Sequence, residues 1–158
     1  MKYKLTKTKK EWCGITLFQI RATADFGNVS KGELGGYIEK EENLSQNGNA
    51  WVYDNARVSG NALVSGNAWV SGNARVSGNA RVYGDAWVYG NALVSGNARV
   101  YGDAWVYGKL KLLPGYFFGL RYKKEEIKFE KIDNNYDLIY KGEAKFGKED
   151  DKCEHCGK

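Results

Sequence analysis

Arg81 and Arg99 stand eighteen positions apart, and each is followed two residues later by a tyrosine, Tyr83 and Tyr101. Set one turn apart on a regular structure, the guanidiniums would offer forked donors and the phenols flat surfaces. That combination suits a planar, phosphate-bearing ligand, although an arginine row beside tyrosines can equally well just solvate a face or seal an interface. A second cluster, Cys153-Glu154-His155-Cys156, has its two thiols at zinc-binding spacing. A structural zinc site takes four ligands, so His155, Cys13 or tails from other subunits would have to complete it. The many glycines never form a strand-to-helix loop ending in Gly-Lys-Ser/Thr, so no phosphate loop is present. Asp54, Asp85 and Asp103 recur at corner positions, where turn formation accounts for them.

The elements that must position these residues are written in a repeat. From Gly48 to Tyr107 the chain consists of ten consecutive hexads of the form Gly-Asn-Ala-x-Val-(Ser/Tyr), and Trp51, Trp69, Trp87 and Trp105 recur every 18 residues within them. Three hexads therefore make one coil of a three-sided β-solenoid. Ala, x, Val and Ser/Tyr form a strand in which side chains alternate, so Ala and Val point inward while x and Ser/Tyr point outward. Gly-Asn or Gly-Asp makes each corner, because these residues tolerate the left-handed backbone region.

Sorting the outward positions by the 18-residue period gives three unlike faces. The first is an aromatic stack of Trp51, Trp69, Trp87 and Trp105 with Tyr53, Tyr89 and Tyr107. The second carries Arg57, Arg75 and Leu93 with serines, and is small and polar; the third carries Leu63, Arg81 and Arg99 with Ser65, Tyr83 and Tyr101. The aromatic stack exceeds the few hundred Å² of apolar patch that monomers usually leave open, so it is expected to be covered. A subunit interface is the first reading and a ligand or foreign surface the second.

Val52 followed by Ala56, Val58 by Ala62, and so on through the array, resembles the hexapeptide-repeat superfamily of left-handed parallel β-helices. The stretch from Ala24 to Ala56 is similar to the N-terminal cap of uncharacterised hexapeptide-repeat proteins of bacteria, phages and prophages. General topology rules favour right-handed crossovers; it is the resemblance that implies left-handed coils. It also implies a homotrimer of parallel prisms with ligands held in the grooves between subunits. Many members are acyltransferases with a histidine base, and others are carbonic anhydrases with three histidine ligands. Here the one histidine, His155, lies beyond the repeats. The expectation is therefore a non-enzymatic trimeric binding protein, a phage-type sponge for a small anionic, nucleotide-like signal bound at Arg81, Arg99, Tyr83 and Tyr101. The alternative is a structural or adaptor trimer that displays its C-terminal part to a protein partner, and an acyltransferase-like enzyme ranks behind both.

Composition sets the remaining bounds. The 158 residues divide into a β cap (1–47), the solenoid (48–108), a β-rich appendage (109–146) and a charged tail (147–158). Ile15–Ala22 reads as a strand, residues 38–44 as a degenerate first coil, and IKFEKI and YDLIYKG as a hairpin around Asp133–Asn135. The net charge of +5 is concentrated in the N-terminal lysines, a start too polar for a signal peptide, and no apolar run is long enough to span a bilayer. Three cysteines without a secretory signal point to reduced thiols in the cytoplasm of a bacterial host. Basic charge with interleaved aromatics invites comparison with single-strand binders. Rings one coil apart, however, leave no space for bases between them, which argues against nucleic acid.

Overall fold

The computed structural model describes residues 1–113, 115–118, 127–129 and 139–141. It is an all-β parallel solenoid whose three faces are the three predicted. The first face stacks β4 (Trp51–Val52), β7 (Trp69–Val70), β10 (Trp87–Val88) and β13 (Trp105–Val106). The second stacks β3 (Leu34–Ile38), β5 (Arg57–Val58), β8 (Arg75–Val76), β11 (Leu93–Val94) and β14 (Lys111–Leu112). The third stacks β6 (Leu63–Val64), β9 (Arg81–Val82), β12 (Arg99–Tyr101) and β15 (Tyr116–Phe118). Register is strict along the array: Trp69 pairs with Trp87, Arg57 with Arg75, and Arg81 with Arg99. Every hexad valine and alanine is buried, at most 3 % exposed, so the interior is a column of small side chains.

The strands are shorter than expected, mostly two residues rather than four, because each side of so thin a prism bends at both ends. The bend is made by glycines at positive φ. Gly66, at φ 67°, lies so close to the next coil that a Cβ built there would come within 2.9 Å of the Gly84 nitrogen. Asp54 takes one such corner at φ 52°, and its carboxylate accepts from the Gly72 N–H at 3.0 Å. Asn side chains bridge successive corners, as from Asn61 to Asn79 and from Asn79 to Asn97, each at 3.2 Å.

At the strand flanks and corners, N–H groups donate to carbonyls one coil further on, as Trp69 does to Ala86 at 2.9 Å. The starting edge therefore presents carbonyls with no preceding repeat to serve them, and buried acceptors require partners. The N-terminal segment supplies them. Tyr37 and Glu39 N–H groups donate to Ala56 and Val58, and Ser45 to Val64. The Asn43 side-chain amide serves Gly60 at 3.0 Å and Ala62 at 2.8 Å, while Lys2 Nζ serves Gly48 at 3.3 Å and Ala50 at 2.8 Å. The buried Tyr3 hydroxyl lies within 2.8 Å of the Glu41 carbonyl and 2.7 Å of the Leu44 carbonyl, with one proton to share between them.

The hairpin of β1 (Tyr3–Trp12) and β2 (Ile15–Ala22) is antiparallel and continues the second face below β3. Ile38 pairs with Val58 and Leu44 with Val64, so the solenoid begins with one irregular coil around the 3-10 turn Glu41–Asn43. At the other end Phe117 is buried against the core. A separate antiparallel pair joins β16 (Ile127–Phe129) to β17 (Ile139–Lys141), and the turn around Asp133–Asn135 lies outside the described residues. Among the described residues no helix is long and apolar enough to cross a membrane.

Candidate functional site

On the first face the 18-residue spacing places indole over indole. Trp69 and Trp87 stack at 5.1 Å and 5°, Trp87 and Trp105 at 5.3 Å and 7°, with Tyr89 and Tyr107 beside them at 5.2 Å. The rings lie on one another's faces, so it is their edges that line an open, largely apolar groove of about 660 Å³, with Tyr53 and Asp54 at its foot. Trp87 remains 39 % exposed. Trp51 departs from the expectation for an interface residue. It is fully buried by its own chain, with Phe26 at 5.3 Å and Tyr3 at 6.0 Å meeting its ring edge-on, so the open ladder consists of Trp69, Trp87 and Trp105.

Arg81 and Arg99 are register neighbours on the third face and both are exposed. Tyr83 and Tyr101 stack on each other at 5.2 Å and 6°, too close for a planar ligand to enter between them. The four residues are thus adjacent, as expected, but they line neither of the two grooves described here.

The second groove lies on the second face, which the repeat alone had marked as small and polar. The tip of the β1–β2 hairpin folds against this face and sets the Trp12 ring 3.8 Å from the Arg57 guanidinium and 5.9 Å from that of Arg75. A cleft of about 660 Å³ results, bordered by Arg57, Arg75 and Lys111, by Ser59, Ser77 and Ser95, and by Leu93 and Leu113. Arg57 Nε is buried with no hydrogen-bond partner. Burial, and then the neighbouring Arg75 charge, lower the Arg57 pKa from its ordinary value, with an opposing effect from Tyr37. The hexads could not announce Trp12, which lies outside them, though an aromatic beside Cys13-Gly14 at a hairpin turn was visible in the sequence.

Cys13 has positive φ and is disulfide-bonded, which departs from the reading of the cysteines as free thiols. Cys153, His155 and Cys156 lie outside the described residues. Among those described, no three His, Cys, Asp or Glu side chains are grouped to hold a metal.

The array matches the family model described as YdcK Beta solenoid repeat, over residues 50–66, 56–72, 74–90 and 92–108. The chain is also similar to a protein of Escherichia coli (strain K12) named "Uncharacterized acetyltransferase YdcK", with 44% identity over 64 residues. That match covers 40% of this chain and 19% of the relative, so the chain spans about a fifth of the length of the protein it resembles. This relative overturns the expectation of a non-enzymatic protein, because the name it carries points toward an enzyme. Missing coil histidines exclude a histidine base on the prism, whereas carboxylate, lysine and tyrosine side chains also serve as general acids and bases. The chain is a β-solenoid repeat protein, and its repeats are similar to the YdcK Beta solenoid repeat and to part of the acetyltransferase-named YdcK.

Proposed function

We propose that the protein acts in acetyl-group transfer as a homotrimer whose subunits meet through the Trp69, Trp87 and Trp105 ladder and bind an anionic, nucleotide-bearing donor along the seam. The observation that carries the assembly is the contrast within one ladder: Trp51 is sealed by the cap, while the next three rungs lie open in an apolar groove. Aromatic edges of this kind are what subunit interfaces bury. The acetyl chemistry is supported by the relative's name. Arg81 and Arg99 are separated from the ladder by a single corner, Gly84–Asp85 and Gly102–Asp103, so they border the seam and present forked donors to the donor's phosphates. The scaffold alternative depends on the C-terminal segment, most of which lies outside the described residues.

The test joins sedimentation velocity to a thiol-release assay with acetyl-CoA and a panel of amine and hydroxyl acceptors. Transfer breaks the thioester C–S bond, joins the acetyl carbon to the acceptor and frees one thiol. The wild-type chain is expected to sediment as a trimer and to release thiol. Replacing Trp69 and Trp87 by Ala should shift it to monomers or aggregates, since each interface anchor is worth ~2 kcal/mol or more. A monomeric wild type, or an unchanged trimer in the double variant, overturns the seam; no thiol release with any acceptor overturns the chemistry.

A further inference from the structure

We propose that the cleft between the Trp12 hairpin tip and the second face binds a phosphorylated small molecule of about nucleotide size, with Arg57, Arg75 and Lys111 gripping the phosphate. This inference concerns a different face from the seam and does not depend on trimer formation or on acetyl transfer.

The cationic charge in the cleft is unpaired. Arg57 and Arg75 occupy adjacent rungs of one sheet, and Lys111 lies two rungs further up the same column, beyond Leu93. None of the three has an ion pair or a side-chain hydrogen bond among the described residues, and the buried Arg57 Nε is an orphan donor. The carboxylate that borders the cleft, Glu39, is already engaged, accepting from the Gly60 N–H at 2.6 Å. Like charges held together in a half-enclosed cleft repel one another, and an oxyanion between them relieves the repulsion while satisfying the free donor. Guanidinium forks match phosphate geometry bidentately, and two or three cations match a dianion better than a single carboxylate.

The shape of the cleft fits more than an ion. A volume of about 660 Å³ lies within the range of small-molecule pockets and is far more than a bare phosphate needs. Ile15, Leu93 and Leu113 give the remainder of the cleft an apolar border, Ser77 and Asn79 add hydrogen-bonding groups, and Trp12 forms a wall. The ligand is therefore a phosphate carried on an organic body. Its phosphate competes with Trp12 for the Arg57 guanidinium, which now rests on the indole.

Calorimetry on the full chain with ADP, adenosine and inorganic phosphate as probes tests this. ADP is expected to bind more tightly than phosphate, and adenosine not at all. Arg57→Gln with Arg75→Gln should weaken ADP binding at least tenfold, and Lys111→Gln alone should weaken it by a smaller factor. Lys31→Gln, on an exposed loop, controls for net charge and should bind as the wild type does. Addition of ADP should change tryptophan fluorescence, and Trp12→Phe should remove that change while binding persists. Circular dichroism confirms that each variant keeps its β-solenoid. The inference is overturned if the wild type binds no ADP, or if Arg57→Gln with Arg75→Gln binds it unchanged. Loss of ADP binding in Arg81→Gln with Arg99→Gln, but not in the cleft variants, would place the ligand at the seam and overturn it equally.

Discussion

At the scale of single residues, the end of the prism is decided by two polar side chains that no repeat contains. Lys2 and Asn43 supply donors to four carbonyls that face away from the next coil. Asn43→Ala is expected to leave Gly60 and Ala62 carbonyls unserved in a buried position and to lower stability by ~2 kcal/mol, as read from urea denaturation. Lys2 also gives the fold a pH signature. Desolvation lowers its pKa from 10.5 to about 8, so between those values the unfolded chain binds more protons and stability should rise with pH. Tyr3 acts in the opposite sense. Desolvation, together with Glu41 and Glu42, raises its pKa well above 10, so once the pH passes 10 the unfolded phenol ionises and stability should fall. Denaturation midpoints are expected to peak near pH ~10. Lys2→Met should remove the rising limb and leave the falling one; a flat profile in the wild type would refute the assignment.

At the scale of the element, each coil depends on its corners more than on its strands. Gly66→Ala combines a positive φ with a Cβ pressed against the Gly84 backbone, and should cost ~1–3 kcal/mol. Asp54 already has the same backbone sign, and its side chain bonds to Gly72. Replacing it by Gly removes the strain of a side chain at positive φ along with one exposed hydrogen bond. The two effects oppose each other, and the net change should stay below ~1 kcal/mol. A pair of urea melts distinguishes the two corners. If both substitutions were equally damaging, side-chain bonding rather than backbone conformation would control the turn.

At the scale of the whole molecule, the faces persist only because every rung stays in phase. Removing residues 73–90 deletes one full coil and brings Trp69 beside Trp105 with the register intact, since the removed stretch equals the offset between paired tryptophans. Removing residues 73–78 deletes a single hexad and turns every later residue onto the neighbouring face, although each inward Ala and Val still finds an inward position. Both chains should therefore fold, as monitored by far-ultraviolet circular dichroism. With Trp87→Phe added to the hexad deletion, Trp69 and Trp105 are the open-ladder indoles of both chains, and their near-ultraviolet stacking signal should be present in the first and absent from the second. Retention of that signal after the hexad deletion would mean that the Trp ladder finds its own register independently of the core.

The repeat carried the architecture on its own because the information is local and recurs in every hexad: Ala and Val must go inward, Gly must turn, and eighteen residues must close a coil. It therefore determined by itself the buried column, the three faces and the Trp, Arg and Tyr rows. The residues that leave the repeat were decided by tertiary structure. Trp51 and Trp87 occupy equivalent hexad positions, yet one is sealed and the other open, because only the cap's Tyr3 and Phe26 reach the first rung. Arg57 and Arg75 looked like the plainest pair in the sequence. They border a cleft because a hairpin from outside the array brings Trp12 over them, a long-range contact set by how the chain closes its first coil and by nothing in the hexads themselves.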